Sequence, residues 1–495
     1  MAGPAPYVEL RCATNFSFLR GASHPSEIVE QAAKLGHRRL AITDHNGLYG
    51  VVQAFRTGQE HGVEILVGSE LHIAGHSGTL IVLATDRASY GRLTRLLSLG
   101  RLRVGKGSFH INFADVAAHA DGLEAIHVGI PEALAVAREK DVFGDRLALA
   151  VERTHTPFDR GRIETAQSAS ARFAVPLVAV GGVLMHSDAR KPLQDILSCV
   201  RMGVRLESGG RRLLPNAHAV LRAPQETARI FSDLPEVVSH SVDVADRCAF
   251  RLSELQQSFT LEVLPEGETG MGYLRKLICK GAEERYPDGV PPKVQAQIDH
   301  ELQLIERLDF AGYFLTVWDI VRFARSRNIL CQGRGSAANS VVCYCLGITS
   351  IDPIRMNLLF ERFISAERGE PPDIDVDFEH ERREEVMQYV FEKYGRDRAA
   401  MVANVIRYRG RLAYREVGKV FGLGDDQIDR LTRTRGYWSG GDIHKKDLRE
   451  AGLDPDDPTV NQVVRWAEEL QGFPRHLGLH SGGFVITKEP LIELA

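Results

Sequence analysis

The sequence predicts an α/β protein of more than one domain, and three observations carry that expectation. The chain has 495 residues, room for two to four domains at roughly 100–200 residues each. Short apolar runs alternate with helix-period stretches over residues 7–90 and recur further on, the pattern of a mostly parallel sheet or barrel. The stretch Pro372-Asp373-Ile374-Asp375-Val376-Asp377-Phe378 alternates acid and apolar residue with period two, the signature of a strand with one charged face. Hydrophobic residues make up 44% and charged residues 25%, which excludes a collagen or a wholly disordered chain. Sixty-one Lys/Arg against 65 Asp/Glu give a net charge of −4, so any contact with nucleic acid must rest on local patches.

The elements follow in order. Ile28, Ala32 and Leu35 recur at helical spacing. Leu40–Thr43 reads as a strand ending at Asp44-His45-Asn46-Gly47, Val63–Val67 as a second closed by Gly68, and Leu80–Ala84 as a third. Leu147–Val151 and Leu177–Val180 give two more. Sheets of this kind carry polar chemistry at the C-terminal ends of their strands, where Asp44, His45 and Glu70 fall. Residues 253–293, with PEGETG and PDGVPP, read as a connecting region. Ile298, Leu302, Ile305 and Leu308 mark one face of a helix, and Phe314, Val317, Val321 and Ala324 mark another. Residues 405–449 hold eleven Lys/Arg against six acids, a surplus of five. The longest uncharged apolar run, Phe173–Met185, is interrupted by Pro176, Gly181 and Gly182 and is too short to cross a membrane. The start of the chain lacks the basic-then-apolar pattern of a signal peptide. Seven cysteines without a CxxC pair fit reduced thiols in a cytoplasmic protein.

Two motifs carry chemistry. Three carboxylates at 373, 375 and 377 on one strand face repel one another, and a divalent cation relieves that cost; hard oxygen ligands of this kind suit Mg²⁺. Gly333-Arg334-Gly335-Ser336 opens a stretch of small residues and a helix expected to run through Leu346. Glycine lets the backbone approach phosphate, a helix N-terminus offers N–H groups, and Arg334 adds a charge-assisted contact. The turn lies 37 residues before the acidic strand, with Arg362 and Arg368 between them. Carboxylate-held metals, a backbone cradle and arginines are what phosphoryl or nucleotidyl transfer requires. The basic stretch could hold a nucleic-acid backbone; a solvated helical surface is the plainer reading of it alone.

Gly312-Tyr313-Phe314-Leu315, GRGSAANSVVCYCLGITSIDP, FERFISAERGEPPDIDVDF and HSGGFVI resemble the palm of bacterial C-family DNA polymerases, the DNA polymerase III alpha type. YVELRCATNFSFLRGAS and AITDHNGLYG resemble their N-terminal PHP domain. The opening and PLQDILSCVR are most similar to the error-prone, damage-inducible branch. The resemblance implies a PHP-type (β/α) barrel-like domain over residues 1–252. A nucleotidyltransferase-like palm follows from 253–404, with an inserted helical thumb at 405–477 and a second palm segment from 478. It also implies that Asp373 and Asp375 hold the catalytic Mg²⁺ ions, with Asp377 less constrained. Gly333, Arg334, Gly335, Ser336, Arg362 and Arg368 would then face the incoming nucleotide. Arg407, Arg409, Arg411, Arg433 and Arg435 would face DNA in the thumb. The family's third aspartate falls beyond HSGGFVI and beyond Ala495, so this stretch alone is expected not to polymerise. The implied partners are primer–template DNA and dNTPs, and, through regions not in this sequence, a sliding clamp and mutasome accessory proteins.

PHP domains bind metals through a His-x-His near the N-terminus and later His, Asp, Glu and Cys ligands. Here Arg11 and Ala13 stand at the two histidine places, and Gly182 and Leu184 at a late Asp-x-His. Asp44, His45 and Glu70 remain, with His155 a further candidate. A guanidinium cannot ligate a cation, so the PHP metal is expected to be absent and the remaining residues to form a polar network. The rival readings are a replicative polymerase of the same family, a PHP metallo-phosphoesterase, and a scaffold without catalysis. Asp373 and Asp375 argue against the scaffold, and Arg11 and Ala13 against the hydrolase.

Overall fold

The computed structural model describes residues 7–255, 264–364, 372–433 and 445–494. It divides into two compact units. The first comprises Met1–Leu255 with Ala403–Leu479, and the second Gln256–Val402 with His480–Ala495.

A six-stranded sheet organises the first unit, in the order β1 (Arg39–His45), β2 (Glu64–Leu71), β3 (Thr79–Ala84), β4 (Leu123–Val128), β5 (Leu147–Val151) and β6 (Leu177–Ala179). The β1–β2, β4–β5 and β5–β6 pairs are parallel, whereas β2–β3 and β3–β4 are antiparallel. The sheet is therefore mixed at its centre. β4, absent from the sequence reading, explains why: after β3 the chain returns beside it through β4 instead of adding a parallel neighbour. The N-terminal segment links the two sheet edges. Glu9 bridges Leu40 of β1, and Cys12 bridges Val183 just beyond β6, with Thr43 N donating to Cys12 O at 2.8 Å and Val183 N to Arg11 O at 2.9 Å. That closure gives the barrel-like form.

Alternate residues of the strands fill the interior. Leu10, Ala41, Leu66, Ile81, Ile126, Ala148 and Val178 form one buried cluster, as period-two strands facing a common axis require. The opposite faces carry Leu40, Ile42, Ile65 and Val67 against the helix Pro25–Leu35, through Ile28, Val29 and Ala32.

Residues 410–470 supply the helices Gly410–Val420, Asp425–Arg433, Lys445–Glu450 and Pro458–Leu470. The first and last pack on the helix Lys191–Met202. Leu193, Ile196 and Leu197 meet Tyr414, Val417, Val463 and Trp466 in one buried core.

The second unit centres on three long helices, Gly270–Arg285, Pro292–Arg307 and Ala311–Ser326. The last two follow the apolar spacing read from the sequence. The first lies in the stretch read as a connection: the loop signals of PEGETG and PDGVPP bound it, but Leu274, Ile278 and Ala282, four apart, form its buried stripe. Strands β7 (Cys331–Arg334) and β8 (Asp375–Phe378) form an antiparallel pair. β9 (Ala399–Arg407) and β10 (Pro474–Ile486) form a two-stranded ribbon.

Candidate nucleotide and metal site

Pairing of β7 with β8 brings the two chemical motifs together. Gln332 lies opposite Asp377, Gly333 opposite Val376, and Arg334 opposite Asp375. The alternation of β8 is visible in its burial: Asp375 and Asp377 are exposed, while Val376 and Phe378 are half-buried. Ile374 and Val376 pack on the helical core and Phe378 on Ala324, Ile329 and Val386. Asp373 is also exposed. The apolar residues thus anchor the strand and present the carboxylates to solvent.

The glycine turn is fixed against this strand. Ser336 Oγ donates to the carbonyl of Asp373 at 3.0 Å. Arg334 Nε lies 3.2 Å from Asp377 Oδ1. Gly333 N donates to Ile348 O at 2.8 Å, and a Cβ at Gly333 would come within 2.6 Å of that same oxygen. Gly335 has φ +64°, the left-handed region that glycine enters without strain. Tyr313 Oη accepts from Ile374 N at 3.2 Å. Burial first, then the nearby Asp373 charge, pushes the Tyr313 phenol up to about 12, so it stays protonated beside the acids at neutral pH.

The helix expected after the turn is interrupted. Gly335–Asn339 is a 3₁₀ turn, and the α-helix is only Val341–Cys345. Its N-terminus is occupied: Glu301 accepts from Ser340 Oγ at 2.7 Å and from Val341 N and Val342 N at 3.0 Å each. That end is therefore closed to a phosphate, and any backbone cradle must come from the glycine turn. Burial raises the Glu301 carboxyl while these donors oppose it. The sequence reading passed over Glu301, although an acid beside Ile298, Leu302 and Ile305 on an apolar helical stripe was a signal of a specific partner. Asp319 was also passed over. It is buried and accepts from Tyr389 Oη at 2.6 Å and Lys393 Nζ at 2.8 Å, tying two helices together.

Arg362 lies in the turn Phe360–Arg362, but its side chain, with Arg368 and Arg435, falls outside the described residues. Arg407, Arg409, Arg411 and Arg433 are exposed. Arg407 Nη1 donates to Gly472 O at 2.9 Å.

The polar residues of the first unit gather where β1, β2 and β5 end. Arg11 forks onto Glu70 at 2.9 and 2.8 Å and pairs also with Glu152. Thr79 Oγ1 adds a bond to Glu70 at 2.6 Å. Burial would raise Glu70, but Arg11 and Thr79 outweigh it and hold the carboxyl below its usual range. The guanidinium stands where a cation would meet Glu70 and Glu152, so these residues do not fit a PHP metal centre. Gly182, at φ +61°, leaves no room either: a Cβ there would sit 2.9 Å from Glu152 Oε1. Asp44 is buried and faces away into Thr14 and Ser17, accepting from Thr14 N at 2.7 Å and Ser17 Oγ at 2.6 Å. His45 packs edge-on to His72 at 4.1 Å; burial and then Arg20 lower it to about 3, which keeps it neutral. His155 is apart from them, against His218 at 4.2 Å. Among the described residues, a different trio, His76, His127 and Glu139, has the closeness a cation would need. Glu139 Oε1 accepts from both rings, at 2.8 and 2.9 Å.

Residues 272–495 match the family described as the bacterial DNA polymerase III alpha NTPase domain, and residues 9–158 match the PHP domain. The chain is similar to error-prone DNA polymerases of three bacteria. That of Anaeromyxobacter dehalogenans is 45% identical over 98% of this chain and 51% of its own length. That of Rhodopirellula baltica is 46% identical over 99% of this chain and 44% of its own. That of Caulobacter vibrioides is 47% identical over 99% and 46%. The chain thus spans about half the length of these relatives.

Proposed function

We propose, from the chain's membership of the bacterial DNA polymerase III alpha family with a PHP domain at its N-terminal side, that it supplies the nucleotide-binding half of an error-prone, template-directed DNA polymerase. The observation that carries this reading is the β7–β8 pair. It sets an exposed row of carboxylates beside a glycine turn that is anchored to the same strand by Ser336 and Arg334. Asp373 and Asp375 would hold Mg²⁺, which supplies charge neutralisation for an attacking hydroxyl and a leaving pyrophosphate. The chain's own residues do the positioning. Gly335 lets the backbone turn sharply toward a triphosphate, Arg334 is close enough to share its charge between Asp377 and a phosphate, and Tyr313 fixes the start of the acidic strand through Ile374 N. Arg362 and Arg368 are assigned to the same nucleotide.

Residues 405–477 are assigned as the thumb, with Arg407, Arg409, Arg411, Arg433 and Arg435 toward primer–template DNA. Clamp and accessory contacts, a cytoplasmic location and the damage-induced role belong to the same reading. No helix of the described residues is long and apolar enough to cross a membrane.

The test is Mg²⁺-dependent binding of a non-hydrolysable dNTP. Asp373→Ala and Asp375→Ala should each weaken it at least tenfold with circular dichroism unchanged, because removing one of several like charges relieves repulsion. Primer extension by a protein containing this sequence should be lost in the same variants. Undiminished Mg²⁺-dependent binding in both would refute the assignment.

A further inference from the structure

His76, His127 and Glu139 meet apart from the strand-end cleft of Arg11, Glu70 and Glu152, which none of the three lines. They lie in the layer between the sheet and its helices. His127 is on β4, and its neighbours across the ladder are Leu80 of β3 and Leu149 of β5. Both leucines belong to the apolar core under the helices, whereas Ile126 and Val128 point into the barrel, as strand alternation requires. Glu139 is on the helix Ala133–Phe143, three residues from Val136 and four from Phe143, which lie in that same core. It therefore interrupts an apolar stripe at helical spacing. His76 comes from the connection between β2 and β3, its ring stacked on that of Phe113 at 5.5 Å.

We propose that these three side chains form a structural Zn²⁺ site, held by His76 Nε2, His127 Nδ1 and the Glu139 carboxylate. Convergence is the first support. One ligand atom from each residue lies within 4.8 Å of the others. Glu139 Oε1 is 2.8 Å from His76 Nε2 and 2.9 Å from His127 Nδ1, while Glu139 Oε2 is buried and has no partner. A network built for hydrogen bonding alone would spread two rings over two oxygens. Both rings meet at one point instead, and the idle oxygen can add to the coordination of an ion placed there. Burial is the second support. The side chains of His76, His127 and Glu139 are 7%, 1% and 0% exposed, and among the described residues no lysine or arginine pairs with Glu139. Buried carboxylates are paired or coordinate metals. The donor set is the third support: two imidazoles and a carboxylate suit Zn²⁺, whereas Mg²⁺ and Ca²⁺ prefer oxygen ligands. Zinc ligands at about 2.1 Å in a tetrahedron stand about 3.4 Å apart, so the carboxylate needs to draw back by only about half an ångström. The ion would tie the helix and the 72–78 connection to β4, and binding to the folded chain alone stabilises it by mass action.

Isothermal titration with zinc chloride tests this, on the full chain stripped of metal with EDTA and then freed of EDTA. The chain carries Asp373→Ala and Asp375→Ala throughout, so that the exposed pair on β8 takes up no ion. Saturable binding of one Zn²⁺ per chain at micromolar concentration is expected, with a thermal midpoint that rises on adding zinc. Glu139→Gln keeps the shape of the side chain and an oxygen for the two rings, and His76→Ala alters only a connection; circular dichroism checks that each folds. Each should weaken zinc binding at least about tenfold, since loss of a residue that merely orients a ligand costs about that much, and each should abolish the rise in midpoint. His45→Ala, in the strand-end cleft, should bind zinc as the parent does. Four results would overturn the proposal: no saturable zinc binding at micromolar concentration, affinity unchanged in both variants, Mg²⁺ bound as tightly as Zn²⁺, or zinc lost in His45→Ala in place of the other two, which would put the ion in the cleft.

Discussion

Gly335 and Arg11 show how single residues set the chemistry of each unit. At Gly335 the space is adequate, since a Cβ would lie 3.6 Å from Asp375 Oδ2; the backbone, at φ +64°, is what excludes a side chain. A β-branched residue there is strained. If the turn holds the nucleotide as proposed, then in a protein containing this sequence Gly335→Val should raise the dNTP KM about tenfold or more while leaving DNA affinity near the parent's; steady-state kinetics and a DNA-binding isotherm separate the two. Arg11 has a pH signature. Because Arg11 holds Glu70 below its usual range, the pair stabilises the fold above the unfolded carboxylate pKa, and that contribution fades as pH falls through the folded value. In Arg11→Gln, burial acts on Glu70 against Thr79 without the guanidinium, and the carboxyl should move up. The variant should lose about 2–3 kcal/mol at neutral pH, and the gap to the parent should narrow toward about pH 4. Urea unfolding at the two pH values checks both sign and size. The sequence showed that Arg11 was the wrong residue for a ligand. It could not show that Glu152, 141 positions away, would share the guanidinium.

Among the elements, β8 was legible because period two needs only local residues. The helix Gly270–Arg285 was obscured by turn signals that bound it, and the short helix after the glycine turn by a carboxylate from another helix that caps it. The packing of Lys191–Met202 on the helices of 410–470 was illegible for a related reason: its apolar face is plain, but which distant face covers it is a tertiary fact. Leu197 sits at 0% exposure in that shared core. Leu197→Asp should cost about 3 kcal/mol or more, since it adds an unpaired buried charge to the lost packing. Limited proteolysis should then cut within 409–472 first, with β1–β6 resisting. Uniform resistance across both parts would count against the packing described.

For the whole molecule, the charge that matters is local. The chain's net charge of −4 conceals exposed arginines at 407, 409, 411 and 433. If Arg411 and Arg433 contact phosphates, Arg411→Glu with Arg433→Glu should flatten the slope of log K against log salt by about 1.8, one released counterion per lost contact. An unchanged slope would place them on a solvated face.

The excursion 409–472 has one further consequence. It leaves and re-enters the ribbon at neighbouring points, with Tyr408 N donating to Phe473 O and Gly472 N to Tyr408 O, both at 2.9 Å. Its ends are already tied, so its length is nearly free of chain-closure entropy, which grows only with the logarithm of loop size. The block behaves as a cassette: connectivity would permit its exchange for a shorter or longer one. What restrains that exchange is the adhesive strip of Leu193, Ile196 and Leu197, which any replacement would have to cover.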